Sequence, residues 1–352
     1  MTGTVSTRRF RLPLKEPFVT GSSTITTREG IAVALRSDGQ IGIGEATPLP
    51  EWTEDIAETR RSLEAFTVED RPYWAALLPP DHPAARHALH LSITDLAAQQ
   101  ANQSLAEYLG GNRSLDTISV NATVGDGPVA ATVNRVVSAI EDGYATVKVK
   151  VGRRAPATTV ERIERLAPLC DEAEIRLDAN QAWDVRTAQQ VIDIAGDAGI
   201  SLLEEPLANP TPERLARLQS ERVEIALDES VSAIDSADRE RWFAVTDAVV
   251  LKPMVLGGID RAISLATAAR TAGVDAIVSN TVDGVVARSA AVHLAAAIQC
   301  ERACGLATGE LLRRDLAKDV VPVRNGTIDV PTIPGLGTQG PWEQNSDVVP
   351  EG

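Results

Sequence analysis

TVKVKVG, residues 146–152, reads as a short strand with Val147, Val149 and Val151 on one face and Lys148 and Lys150 on the other. An amphipathic stretch, TTVERIERLAPLCDEA (158–173), follows it and leads into a second strand-like run, EIRLDAN (174–180). The unit then recurs in SLLEEPL (201–207), EIALDES (224–230), AVVLKPM (248–254), AIVSNTV (276–282) and ACGLATG (303–309). TISVNATVG (117–125) precedes the set, giving eight runs whose starts lie about 23 to 29 residues apart, the length of one strand, one helix and two short loops. This pattern predicts a (β/α)8-type barrel. A doubly wound open sheet is the competing α/β arrangement, and the missing GxGxxG after the first strand disfavours it.

Residues 1–112 read differently. IAVALR (31–36) and IGIGEA (41–46), joined by Ser37-Asp38-Gly39-Gln40, form a hairpin, and helical patterns follow near Glu54 to Phe66 and Pro83 to Gln100. An α+β capping module is expected there, with the barrel over 113–312. The Gly- and Pro-rich segment 313–352 is expected to return to the module.

Composition narrows the function classes. The 352 residues carry 49 acidic and 34 basic side chains, a net charge of -15, which argues against a nucleic-acid partner. No stretch has the run of apolar residues that spans a bilayer, and the first residues lack a secretory signal, so no membrane partner and a cytoplasmic location are expected. Cys170, Cys300 and Cys304 lack zinc-site or disulfide spacing and read as buried thiols. His82, His87, His90 and His293 fall in the first module or mid-helix and read as packing or surface residues.

Catalytic groups of a barrel sit at the C-terminal ends of its strands. Here those positions run Lys150, Asp178, Glu204 or Glu205, Asp228 and Lys252, each 23 to 28 residues from the last. The order sets carboxylates side by side with a lysine on each flank. Each short motif alone is weak, since Lys-x-Lys in a strand is usually a solvated face; their order and spacing carry the reading. Anions so arranged require a cation, and hard oxygen ligands suit Mg2+, with Mn2+ as a substitute. A carboxylate substrate lying between the lysines would lose its α-proton to Lys150.

KVKVG, RLDANQAW, LLEEPL, IALDES and LKP resemble the paired-lysine, muconate cycloisomerase-like subgroup of the enolase superfamily. The resemblance implies an enolase-like modified barrel with a lid-bearing cap, and it covers nearly the whole chain. It implies Asp178, Glu204 and Asp228 as metal ligands, and Lys150 and Lys252 as the catalytic lysines. Lys148 would tune Lys150, while Arg176 and Asn180 would line or brace the cavity. Ser279, Thr281 and Gly309 would contact substrate, and loops 20–27 and 48–52 would form the lid. GIGEATPLPEWTE (42–54), residues 278–298 and CGLATGELL (304–312) look most like the o-succinylbenzoate synthases, particularly haloarchaeal ones. That resemblance implies a lyase of menaquinone biosynthesis that dehydrates a small-molecule carboxylate. Dipeptide epimerases usually carry Asp-x-Asp where this chain reads GLATGELL. N-succinylamino acid racemisation, or another epimerase or cycloisomerase activity, stays open, as do a non-catalytic barrel scaffold and a homo-oligomer.

Only five of the 34 basic residues are lysine, which fits either a high-GC codon bias or an acidic surface screened by a salt-rich cytoplasm. Salt adaptation predicts a melting temperature that rises with KCl toward molar concentrations. A flat or falling melting temperature over that range rejects it.

Overall fold

The computed structural model describes residues 4–19, 24–66, 81–111, 114–218 and 220–342. Its first three strands, β1 (Thr4–Val19), β2 (Thr24–Ser37) and β3 (Gln40–Ala46), form an antiparallel sheet in that order. β2 and β3 are the expected hairpin, with Ser37 opposite Gln40 and Asp38 at a φ of 51° in the turn. Sequence reading misses β1, because arginines and prolines interrupt its pattern. Phe10, Leu12 and Leu14 nevertheless alternate into the core, and the prolines are tolerated on an edge strand.

Helices α1 (Ile56–Ala65), α2 (Pro83–Gln100) and α3 (Leu105–Gly110) follow. Asp55 and Glu58 close a capping box at the start of α1. β3 crosses α2 so closely that a Cβ at Gly42 or Gly44 would overlap the carbonyl oxygens of Ser92 and Ala88, so only glycine fits.

The predicted run 117–125 divides in two. β4 (Thr117–Ser119) pairs antiparallel with β12 (Thr327–Asp329), placing Ile118 opposite Ile328. β5 (Ala122–Val124) enters a parallel sheet with β6 (Thr146–Lys150), β7 (Glu174–Asp178), β8 (Leu202–Glu204), β9 (Glu224–Leu227), β10 (Ala248–Leu251) and β11 (Asp275–Val278). Neighbours in this sheet follow chain order without the reversal that defines a doubly wound fold.

The eighth position is reduced to Cys304 and Gly305. Gly305 N–H donates to Val278 O at 2.9 Å beside β11, and Asn121 N–H, just before β5, donates to Cys304 O at 2.9 Å. These bridges close the cylinder, and Arg176 braces them by donating to Ala303 O at 2.9 Å while gripping Glu174 at 2.8 and 2.9 Å.

Helices α4 (Val129–Glu141), α5 (Pro156–Leu166) and α6 (Val185–Asp197) wrap the first strands. The helix expected after each strand is reduced to α7 (Pro212–Leu215) after β8 and α8 (Arg239–Phe243) after β9. Pro210 and Pro212 delay and shorten α7. α9 (Pro253–Leu256), α10 (Ile259–Thr271) and α11 (Val285–Ala297) complete the ring. Valines and leucines such as Val149, Leu177, Leu203 and Leu227 face these helices, while Leu202, Ala226, Ala248, Val250 and Ile277 form a separate apolar cluster inside the cylinder.

Leu336 N–H donates to Asp95 of α2 at 2.8 Å, and Gly335 bridges Ser104 just before α3. Residues 343–352 of the C-terminal segment and 20–23 of the expected lid lie outside the described residues. Cys170, Cys300 and Cys304 are free thiols, the first half-buried and the others buried.

Two polar pins fix the first module to the barrel. Arg86 of α2 donates to both carboxylate oxygens of Asp260 at 2.7 and 2.9 Å. Glu45 of β3 accepts the N–H groups of Gly284 at 2.7 Å and Ala287 at 2.9 Å, satisfying donors at the start of α11. Burial, reinforced by the charge of Asp283, pushes the Glu45 carboxyl up from 4.5 to about 7 against the hydrogen bonds from Thr47 and Ala287. Its folded value lies above its unfolded one, so its contribution to stability is full below pH 4.5 and is lost as pH rises through about 7. The stability of wild type relative to E45Q should therefore fall between those pH values, by up to ~3 kcal/mol. A difference that rises or stays level contradicts this account.

Candidate active site

Alternation along the strands points Lys148, Lys150, Arg176, Asp178, Glu204, Asp228 and Lys252 into the cylinder. Register sets them in layers: Lys148 stands opposite Arg176, and Lys150 opposite Asp178, which stands opposite Glu204. β6 and β10 lie four places apart among eight, so Lys150 and Lys252 approach the mouth from opposite walls. Asp178, Glu204 and Asp228 are 0, 3 and 4 % exposed.

Each lysine is tied to these carboxylates. Lys148 Nζ bridges Asp178 at 2.8 Å and Glu204 at 2.6 Å. Lys150 Nζ donates to Asp178 at 2.6 Å and to Asn180 Oδ1 at 2.9 Å, and Lys252 Nζ donates to Asp228 at 2.6 Å. Trp52, from the loop after β3, lays its ring 4.0 Å from the Lys252 ammonium, a cation–π contact.

Parity in the sequence left Glu204 and Glu205 unresolved, and the backbone separates them. Glu205 turns into the left-handed region at φ 46°, and its carboxylate accepts the N–H groups of Asp228 at 2.6 Å and Ser230 at 3.1 Å. It braces the end of β9, while Glu204 meets Lys148.

The electrostatics are strained. Burial opposes a charged Lys148, but Asp178, Glu204 and Asp228 outweigh it and hold the ammonium above the ordinary lysine value. Burial also opposes ionisation of Asp178, yet Lys148 and Lys150 hold its carboxyl well below the usual range. Glu204 goes the other way, pushed well up by burial and the neighbouring Asp178 charge. Burial with the charges of Asp228 and Asp178 raises Glu229 to about 7.

The carboxylates occupy adjacent strands, each held by a lysine in this structure. Among the described residues no three His, Cys, Asp or Glu side chains converge as a ready ligand set. The lysine ammoniums lie within 2.6 to 2.8 Å of the carboxylate oxygens. The donor chemistry still fits a hard divalent cation, because Asp228 Oδ1 and Glu229 Oε2 are buried without a hydrogen-bond partner.

A cleft of about 870 Å³ opens beside Lys150 and Asn180, walled by Gly125, Tyr144, Ala307 and Thr308 among others. Ser279, Thr281 and Gly309 lie outside its lining, as do Lys148, Asp178, Glu204, Asp228 and Lys252. Ser279 Oγ donates to Gly305 O at 3.2 Å, Thr281 Oγ1 to Asp283 at 2.6 Å, and Gly309 abuts the Arg288 guanidinium. Arg176 serves the barrel floor. Sequence reading also passed over Glu229, whose only signal was its place inside the IALDES motif.

Comparison with known proteins matches residues 131–344 to the "Enolase C-terminal domain-like" family and residues 3–76 to "MenC, N-terminal domain". The chain belongs to the enolase superfamily. It is 28% identical to a chloromuconate cycloisomerase of Cupriavidus necator, with 95% of each chain covered. The substrate-liganded L-Ala-D/L-Glu epimerase of Bacillus subtilis superposes with a TM-score of 0.87 at 27% identity, covering 96% of this chain and 98% of that one. The Methylococcus capsulatus dipeptide epimerase, solved with Mg and the dipeptide L-Arg-D-Lys, gives 0.84 at 28% identity, over 95% and 98% of the two chains. Among the described residues no helix is long and apolar enough to cross a membrane.

If Asp178, Glu204 and Asp228 hold a cation, Mg2+ added to EDTA-treated protein should raise the melting temperature. The stabilisation is about 2.7 kcal/mol at a hundredfold excess over Kd. E204Q should lose most of it, and a wild-type melting temperature indifferent to Mg2+ contradicts the fit.

Proposed function

We propose that this chain is an o-succinylbenzoate synthase, a lyase that dehydrates 2-succinyl-6-hydroxy-2,4-cyclohexadiene-1-carboxylate to 2-succinylbenzoate. The observation that carries the reading is the match of residues 3–76, which include the Trp52 that meets Lys252, to the family described as "MenC, N-terminal domain", which points toward o-succinylbenzoate synthases. The cleft supports it. Its eighth-strand wall offers Gly305, Ala307 and Thr308, and its one carboxylate there, Glu310, is engaged by the Tyr144 hydroxyl. That wall lacks the paired acids expected where a dipeptide's amino group is held.

Asp178, Glu204 and Asp228 would hold Mg2+, which supplies positive charge to the substrate carboxylate and so makes its α-proton removable. Lys150, at the head of the cleft, takes that proton from the α-carbon. The electron pair released forms the double bond between the α-carbon and the neighbouring hydroxyl-bearing carbon, and the C–O bond of that carbon breaks. The Lys150 ammonium returns its proton to the departing hydroxide on the same face, so water leaves and the ring becomes aromatic. Lys252, backed by Trp52, stabilises the developing negative charge from the opposite wall.

Racemisation of N-succinylamino acids is the second reading, favoured by the two amines on opposite walls. Both reactions begin with the same proton transfer, and the product separates them. Purified protein with Mg2+ in high salt should form o-succinylbenzoate, followed by ultraviolet absorbance and abolished by chelator. K150A should lower turnover by about 100 to 10,000-fold, the usual worth of a positioned base. Deuterium exchange into N-succinylamino acids without any o-succinylbenzoate would replace the reading with the second one.

A further inference from the structure

Lys150 reaches the cleft on a flexible four-carbon stem, so the direction of its amine depends on the acceptors that hold it. One acceptor is Asp178, at 2.6 Å, which the proposed function also gives to the cation. The other is Asn180 Oδ1, at 2.9 Å.

Asn180 sits two residues past Asp178 in the left-handed region at φ 43°, a conformation that asparagine tolerates better than most residues. Its N–H donates to Asp178 Oδ1 at 3.0 Å, which fixes the backbone. Its side-chain amide spans from the end of β7 to the turn after β9, where Nδ2 donates to Glu229 Oε1 at 2.8 Å.

An asparagine amide has a donor end and an acceptor end, and rotation exchanges them. In the rotated form its oxygen would face the Glu229 oxygen, and its NH2 would face the Lys150 ammonium. Acceptor would meet acceptor, and donor would meet donor. Glu229 therefore selects the one orientation that offers Lys150 a lone pair. Lys150 and Asn180 line the cleft and Glu229 does not, so Glu229 acts from behind the site.

We propose that Glu229 is a positioning residue for Lys150: through Asn180 it sets where the lysine amine points. The inference rests on the reading of Lys150 as the base.

The test compares E229L, E229Q and N180L in the full-length protein. A crystal structure of E229L should show the Asn180 amide rotated or withdrawn from hydrogen-bond reach of Lys150, and an unchanged Lys150–Asn180 contact overturns the proposal. This readout stands even if the wild type makes no o-succinylbenzoate, an outcome that defeats the functional reading alone. In the dehydration assay E229L should lower kcat by at least about 10-fold, since a misplacement near 1 Å can cost about 100-fold. KM and melting temperature should barely move, and E229Q, which keeps an acceptor oxygen, should restore most of kcat. Introduced into N180L, E229L should cost nothing further, because both changes break one relay. Equal losses in the two backgrounds, or a loss in E229Q matching E229L, overturn the assignment.

Discussion

Three carboxylates buried at the mouth of one barrel need more positive charge than the backbone or solvent can give them. Removing charge from water is costly, and neighbouring anions in a low-dielectric interior repel strongly. Lys148 answers part of the demand by bridging Asp178 and Glu204, Lys150 shares Asp178, and Lys252 meets Asp228. The remainder shows in Glu204, pushed upward by burial and Asp178, and in the unpartnered oxygen of Asp228. A divalent cation would relieve both and free the lysines to face a substrate.

Such an arrangement needs a rigid frame. Parallel register fixes the heights of Lys150, Asp178 and Glu204, and the short eighth segment closes the ring with help from Arg176. Glu45 and Arg86 pin the first module over this frame, and its Trp52 reaches Lys252. On the proposed reading the barrel sets the proton chemistry, while the cleft walls and the module decide which carboxylate reaches it. This division explains how a chain can share its architecture with both cycloisomerases and epimerases.

Much of the frame was legible in the sequence because parallel strands buried on both faces leave dense apolar runs, and inward polar residues interrupt them with period two. TVKVKVG and EIRLDAN show this directly. The first strand was hidden because Arg8, Arg9 and Arg11 alternate with Phe10 and Leu12 on an edge that also carries prolines. α7 and α8 fell short because a repeat pattern says little about how long each helix must be. Glu205 and Glu229 could not be sorted by spacing, since a single left-handed residue or a tight turn redirects a side chain that periodicity assigns elsewhere. Ser279, Thr281 and Gly309 have local partners in Gly305, Asp283 and Arg288, contacts that spacing alone does not reveal.

The most direct measurement is anomalous diffraction from crystals of the full-length protein grown with Mn2+. The account predicts one strong peak bonded to Asp178, Glu204 and Asp228 at about 2.1 Å. Lys150 and Lys252 should then face each other across it, with Lys148 displaced from at least one of its carboxylates. A peak at other residues, or none with Lys148 still bridging Asp178 and Glu204, would contradict it.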